Sequence, residues 1–148
     1  MTPDQTRRQA AYEAEVLRLW ADRADGAHDL AHLRRVWANC QRIARFEGGA
    51  DAEILMAAAF FHDAVNLPKD SPDRAQASRR SAEAAVAYLS GTDFPASKLP
   101  GVAHAIAAHS FSAGIAPKRK RPGSCRMPTV LKRLGPWASR GCSMSRVP

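Results

Sequence analysis

The stretch DAEILMAAAFFHD, residues 51–63, decides the fold of this chain. It opens with Asp51, a residue type that caps helices well, and residues 54–61 are all apolar. The run is too short to span a bilayer, and a helix that is apolar on every side usually lies at the centre of a bundle. We therefore predict a helix that begins after Asp51, continues to about Ala64 and packs among other helices.

Four further segments predict helices around this one, and the chain shows no strand pattern and no internal repeat. Their ranges are about 3–20, 29–47, 73–89 and 97–109. The apolar spacing also predicts their inward faces, which hold Tyr12, Val16, Leu19 and Trp20, then Leu33, Val36, Trp37, Cys40, Ile43 and Ala44, and in the fourth helix Ala77, Ala84, Ala85, Val86 and Leu89. The sequence thus predicts an all-α antiparallel bundle.

Charge is divided unevenly along the chain. The formal net charge is +8, yet residues 1–118 hold 14 basic and 14 acidic side chains, whereas residues 119–148 hold 8 basic side chains and no acidic one. The second part also contains four prolines and has poor apolar periodicity. We therefore predict a helical domain over residues 1–118, incomplete at its C-terminal side, and a basic tail that is disordered or an interaction arm.

Several classes of protein are not expected. No apolar run approaches the length of a membrane span, and the first residues lack an apolar signal segment. The three cysteines, Cys40, Cys125 and Cys142, have no ligand spacing and cannot all pair, so we expect a reducing, cytoplasmic location. Because residues 1–118 carry no net charge, nucleic acid is not expected as a partner of the domain.

Two histidines and an aspartate indicate a metal site. His62 and Asp63 follow the apolar run directly, and His32 lies in the middle of the preceding predicted helix. Neighbours on a regular helix point about 100° apart, so both can reach one ion only where the helix ends. His32 can face that end if the two helices are antiparallel. The alternative is that these are ordinary core or surface residues.

The mixed nitrogen and oxygen ligands suit Mn²⁺, Fe²⁺, Co²⁺ or Zn²⁺ better than Ca²⁺, with Mg²⁺ also open. Two imidazoles and one carboxylate leave an incomplete ligand set, so a fourth oxygen ligand and water are expected.

These residues lie in motifs of a known family. The segment HDLAHLRRV, residues 28–36, resembles the first motif of the HD-domain metal-dependent phosphohydrolases, and residues 61–63 resemble the doublet that names the superfamily. Further segments resemble a bacterial subgroup that hydrolyses nucleotides or is uncharacterised, namely residues 65–69, 77–79 and 108–112. The resemblance covers about residues 5–118. It implies an all-α fold and phosphohydrolase activity on a nucleotide or another phosphate ester.

The resemblance also implies a ligand set. Matched by motif, the metal ligands are His32, His62 and Asp63, and a more distant aspartate is the fourth. This chain has no acidic residue after Asp93, so the fourth ligand is absent. We therefore expect weakened metal binding and little activity, with a catalytically dead nucleotide sensor as the alternative.

Side chains near the doublet are candidates for substrate contacts. Lys69 and Arg74 are candidates to clamp a phosphate, although a solvated helix face is the alternative. His109, at the end of the fifth predicted helix, is a candidate to bind substrate or donate a proton to a leaving oxygen. Asp63 is also a candidate to orient the attacking water, and Asp73 is expected to cap the fourth helix.

The tail is consistent with translation in a shifted frame. Residues 125–140 can be encoded so that reading one base earlier gives QDADRLEALGAVGIA, which contains the missing aspartate motif. Two of these steps hold for any codons, since Met127-Pro128 must give Ala and Trp137-Ala138 must give Gly. We expect the change of frame near Lys118. The alternative is a natural basic arm that binds nucleic acid or another partner.

Overall fold

The computed structural model describes residues 2–21, 29–47, 50–65, 67, 73 and 76–109. These residues contain five α-helices, which are α1 (Pro3–Trp20), α2 (Leu30–Glu47), α3 (Ala52–Phe61), α4 (Ala77–Ser90) and α5 (Leu99–His109), and a short 3-10 turn at Ala96–Lys98. No strand occurs in the described ranges, so the predicted all-α class is confirmed.

The central helix forms as its sequence predicts. The Asp51 carboxylate accepts hydrogen bonds from the backbone N–H groups of Glu53 and Ile54, which satisfies two donors at the start of α3. Every side chain from Leu55 to Phe61 is buried. The helix packs against α1, α2, α4 and α5, so its lack of a polar face is explained by neighbours on all sides.

Helices α1 and α2 cover one side of α3. Tyr12 of α1 contacts Phe61 edge-on, with 5.4 Å between the ring centroids. The Glu13 carboxylate accepts two hydrogen bonds from the Arg34 guanidinium, at 2.8 and 2.6 Å, which joins α1 to α2. These Arg34 hydrogen bonds lower the pKa of Glu13, against the opposing effect of burial.

The start and the buried face of α4 differ from the prediction. The helix begins at Ala77, and its N-cap residue is Gln76, so the expectation that Asp73 caps it was wrong. The Asp73 carboxylate instead accepts hydrogen bonds from the side chains of Gln76 and Arg80. The helix buries a stripe of mostly small residues, which are Ser78, Ser81, Ala82, Ala85 and Leu89.

Only Ala85 and Leu89 of the predicted face are fully buried, whereas Ala77, Ala84 and Val86 are half-buried. The predicted face was chosen by hydrophobicity, so it did not include the buried serines Ser78 and Ser81. A serine hydroxyl is small enough to enter a tight helix contact, and burial costs little when it finds a hydrogen-bond partner.

Three predicted features concern residues outside the described ranges. They are the basic tail over residues 119–148 and the two candidate phosphate clamps, Lys69 and Arg74. Cys125 and Cys142 also lie outside the described ranges. Cys40 is buried in the core, and this burial raises the pKa of its thiol to about 12. Within the described ranges, no helix combines the length and the apolar composition needed to cross a membrane.

The first turn of α5 approaches α3 closely at Gly101. A Cβ atom at this position would lie 2.9 Å from the Cδ1 atom of Ile54. A side chain at position 101 would therefore have to displace the end of the Ile54 side chain at this helix contact.

We expect Gly101→Val to lower the free energy of unfolding by about 1–3 kcal/mol, the usual cost of overpacking. Urea denaturation would measure it. Gly91→Val is the control, because a Cβ there meets only the Tyr88 carbonyl at an ordinary 3.5 Å. Adding Ile54→Ala should remove most of the Gly101→Val penalty, and an equal loss in both backgrounds would contradict the proposed contact.

Candidate metal centre

His32 lies in the first turn of α2, not in the middle of that helix as the sequence analysis placed it. The helix begins at Leu30, and the Asp29 carboxylate accepts a hydrogen bond from the His32 backbone N–H. In an antiparallel helix pair, the start of one helix lies beside the end of the other. This position therefore brings His32 to the C-terminal end of α3, with its ring centroid 5.7 Å from that of His62.

His62 and Asp63 converge because α3 ends just before them. The last helical residue is Phe61, and the Ala64 N–H donates to the Phe61 carbonyl in a closing turn. As a result the His62 Nε2 and Asp63 Oδ2 atoms are 3.1 Å apart, and the same Oδ2 lies 3.9 Å from His32 Nε2. One ligand atom from each of the three side chains lies within 4.8 Å of the others.

The tautomer of His62 suits metal binding. Its Nδ1 atom lies 2.9 Å from the backbone carbonyl of Ala59, and a carbonyl can only accept a hydrogen bond. Nδ1 must therefore carry the proton, which leaves the lone pair of the neutral ring on Nε2, facing Asp63. Histidine ligands of metal sites are commonly oriented by such a hydrogen bond. The donor set thus fits a divalent ion.

His109 brings a third imidazole to the same carboxylate. It is the last residue of α5, and its Nε2 atom lies 3.9 Å from Asp63 Oδ1. Its ring meets that of His62 edge-on, with the centroids 5.1 Å apart. Nδ1 lies 2.6 Å from the Ile106 carbonyl, so the lone pair of the neutral ring is again on Nε2. Asp63 therefore presents one oxygen to His32 and His62 and the other to His109.

The two buried imidazoles differ in their readiness to hold a proton. Burial is the largest influence on His62 and acts to lower its pKa, but the charge and hydrogen bond of Asp63 and the Ala59 carbonyl together raise it. Burial and the charge of His62 lower the pKa of His109, against smaller opposing effects of Ile106 and Asp63. His62 is thus the better proton acceptor, and His109 is favoured as the neutral ring.

Two residues that support the site were missed in the sequence analysis. The Trp20 indole N–H donates to the backbone carbonyl of Asp63, and the Ser81 hydroxyl hydrogen-bonds the backbone of Val65. Trp20 was assigned only to an apolar stripe, and Ser81 was overlooked. One sequence feature could have indicated Ser81 as a buried polar residue. Ser78 and Ser81 are three residues apart on an alanine-rich helix, so they lie on the same face.

Other predicted residues are placed elsewhere or lie outside the described ranges. Lys69 and Arg74 belong to the second group. His104, on the same helix as His109, lines a largely alanine-walled groove between α4 and α5 together with Arg79. None of the candidate metal ligands lines that groove.

One comparison with known proteins is informative. A family model described as HD domain matches residues 29–135, which is more than half of the chain. No curated protein and no solved structure matches the chain. The matched range includes residues 119–135, which lie outside the described residues, so the predicted boundary at Lys118 stays a prediction.

We expect the affinity for a divalent ion to rise with pH up to and above the usual histidine pKa of about 6.5. The raised pKa of His62 keeps its ring protonated above that pH, and the proton must leave before Nε2 can bind an ion. Calorimetric Co²⁺ titrations from about pH 5.5 to 8.5, in buffers of different ionisation enthalpy, measure affinity and proton release. His104→Gln should keep the same profile, and a pH-independent affinity would contradict the assignment.

Proposed function

The chain belongs to the HD-domain family, and from this premise we propose that it is a metal-dependent phosphohydrolase for a nucleotide or another phosphate ester. The observation that carries the proposal is the cluster of His32, His62 and Asp63, whose ligand atoms lie within 4.8 Å of one another. A divalent ion held there would supply Lewis acidity toward a phosphoryl oxygen and acidify a water molecule.

Asp63 has two roles in this proposal. Its carboxylate is the most exposed of the four polar groups, with 34% of the side chain accessible, whereas His32, His62 and His109 range from 8 to 16%. This exposure supports an approach of substrate and water on the Asp63 side. One oxygen serves as a ligand beside the two histidines, and the other can accept a hydrogen bond from the attacking water and orient it.

His109 is proposed to move a proton at Nε2. Its neutral ring presents a lone pair there, so it first accepts a hydrogen bond or a proton from the water or substrate. Once protonated at that atom, it can donate to the leaving oxygen, which is the role that the sequence analysis gave it. Lys69 and Arg74 are proposed as phosphate clamps on sequence position alone.

This form of the chain is proposed to be impaired. The described residues bring three candidate ligands together, and the sequence holds no acid after Asp93 that could supply the fourth. An ion that has three protein ligands where the family resemblance implies four makes one protein–metal bond fewer, so this chain would hold it less tightly. The expected product is a chain that binds its metal weakly and turns over slowly.

We expect that replacing residues 119–148 by the translation one base earlier will restore tight metal binding and phosphohydrolase turnover. The gain in Co²⁺ affinity should exceed the about 10–100-fold effect of an outer-shell partner, because a direct ligand is added. Release of phosphate or pyrophosphate from a panel of nucleoside mono- and triphosphates measures the turnover.

The control is the same restored chain carrying Asp63→Asn, which should bind the ion poorly and release no product. Nucleotide binding without hydrolysis in the restored chain would favour the sensor alternative. Robust turnover by the present chain, with saturating metal, would contradict the proposed impairment.

In the restored chain we expect His109→Gln to lower kcat by about 10²–10⁴-fold, the usual contribution of a proton-transfer group. Glutamine keeps a polar group near the site but cannot carry the proton. Metal affinity should stay unchanged, which calorimetry would check. His104→Gln, a change on the groove side of the same helix, should leave kcat as it is. A loss of metal affinity in His109→Gln would instead make His109 a ligand.

A further inference from the structure

The turn that carries the candidate ligands has little helical support of its own. Helix α3 ends at Phe61, and Asp63 and Val65 lie beyond the last regular helical hydrogen bonds. Their peptide groups need other partners, because unpaired backbone polar groups are costly in a protein interior. These partners come from two helices, α1 and α4.

Trp20 holds the peptide group of Asp63. It is the last residue of α1, it packs against the hydrophobic core, and its indole Nε1–H donates to the Asp63 carbonyl oxygen at 3.1 Å. The carbonyl carbon of Asp63 and the Cβ atom that carries its carboxylate are bonded to the same Cα atom. Fixing the peptide plane therefore fixes the point from which the side chain extends toward His32 and His62.

Ser81 holds the backbone of Val65. Its side chain is fully buried on α4, and its Oγ lies 3.0 Å from the Val65 nitrogen and 3.3 Å from the Val65 carbonyl oxygen. The hydroxyl accepts from the first atom and donates to the second, so one side chain satisfies both backbone groups of one residue. The far side of the turn is thereby attached to α4.

Two buried side chains of the same residue types provide a comparison. The Trp37 Nε1 and Ser78 Oγ atoms are buried without a hydrogen-bond partner among the described residues. Burial alone therefore does not provide a tryptophan or a serine of this bundle with a partner. The half-buried Trp20 and the buried Ser81 do have partners, and both hold the turn of the candidate metal ligands.

We propose that Trp20 and Ser81 are positioning residues of the metal centre, which fix the backbone of Asp63 and Val65 so that the carboxylate meets the two histidines. This inference rests on the proposed function, since it assumes that the cluster binds a divalent ion. Neither residue touches that ion or the substrate. Their effect reaches the ion through the backbone of residues 63–65.

The test uses the full chain and Co²⁺ as the probe, because its visible absorption reports both affinity and coordination geometry. Trp20→Phe and Ser81→Ala each remove one hydrogen-bonding group, and Trp37→Phe and Ser78→Ala are matched controls with the same chemical change. Thermal unfolding without metal, measured for all four variants, gives the purely structural cost of each substitution.

We expect Trp20→Phe and Ser81→Ala to weaken Co²⁺ binding by about 10–100-fold and to alter the absorption bands, as loss of an outer-shell partner does. The two controls should bind within about threefold of the parent chain with an unchanged spectrum, whatever their melting temperatures.

Equal Co²⁺ affinities and spectra for the parent chain, the two test variants and the two controls would overturn the inference. So would losses that simply follow the melting temperatures. If the parent chain itself gives no saturable Co²⁺ spectrum, the proposed function fails together with the inference. This result is distinct from a parent chain that binds Co²⁺ and test variants that bind it equally well.

Discussion

The bundle depends on the burial of α3 on every side. A helix without a polar face has no stable position at the surface, so α1, α2, α4 and α5 must all pack around it. Its apolar sequence ends at Phe61, and the next two residues are the polar pair His62 and Asp63. The C-terminal end of this enclosed helix therefore places two polar side chains where other helix ends meet.

One carboxylate organises the chemistry at that place. Asp63 lies within 3.9 Å of nitrogen atoms from three histidines, which come from α2, from the end of α3 and from α5. Backbone carbonyls of Ala59 and Ile106 hold the Nδ1 protons of His62 and His109. In the neutral form of either ring the lone pair is therefore on Nε2, in a direction set by the geometry of the helix end.

The sequence predicted those features that depend on local pattern. The range of α1, the Asp51 cap and the central place of α3 follow from apolar spacing and capping chemistry, and the structure confirms them. The grouping of His32, His62 and Asp63 was indicated by their residue types and by the predicted helix ends, with ordinary core or surface residues as the alternative, and the motif resemblance supported it. Proximity of His109 to Asp63 could not be derived, because it depends on how α5 crosses α3.

The predictions of buried positions were wrong where contacts with other helices, and not side-chain hydrophobicity, decide which residue is buried. Val86 is the most apolar residue of its helix turn and yet is only half-buried, whereas Ser81 is fully buried because the backbone of Val65 gives its hydroxyl two partners. A pattern that counts apolar residues cannot find such a position. The same limitation hid Trp20, whose ring looked like core and whose N–H reaches a backbone carbonyl in another element.

The sequence distances spanned by these two contacts have a consequence for the order in which the site is made. Trp20 is 43 residues from Asp63, and Ser81 is 16 residues from Val65. Two chain loops must close before the turn is held from both sides, and closing loops costs entropy that local helix formation does not recover. A ligand that needs the finished turn binds the folded chain far better than the open one, so its binding energy adds to the cooperativity of folding.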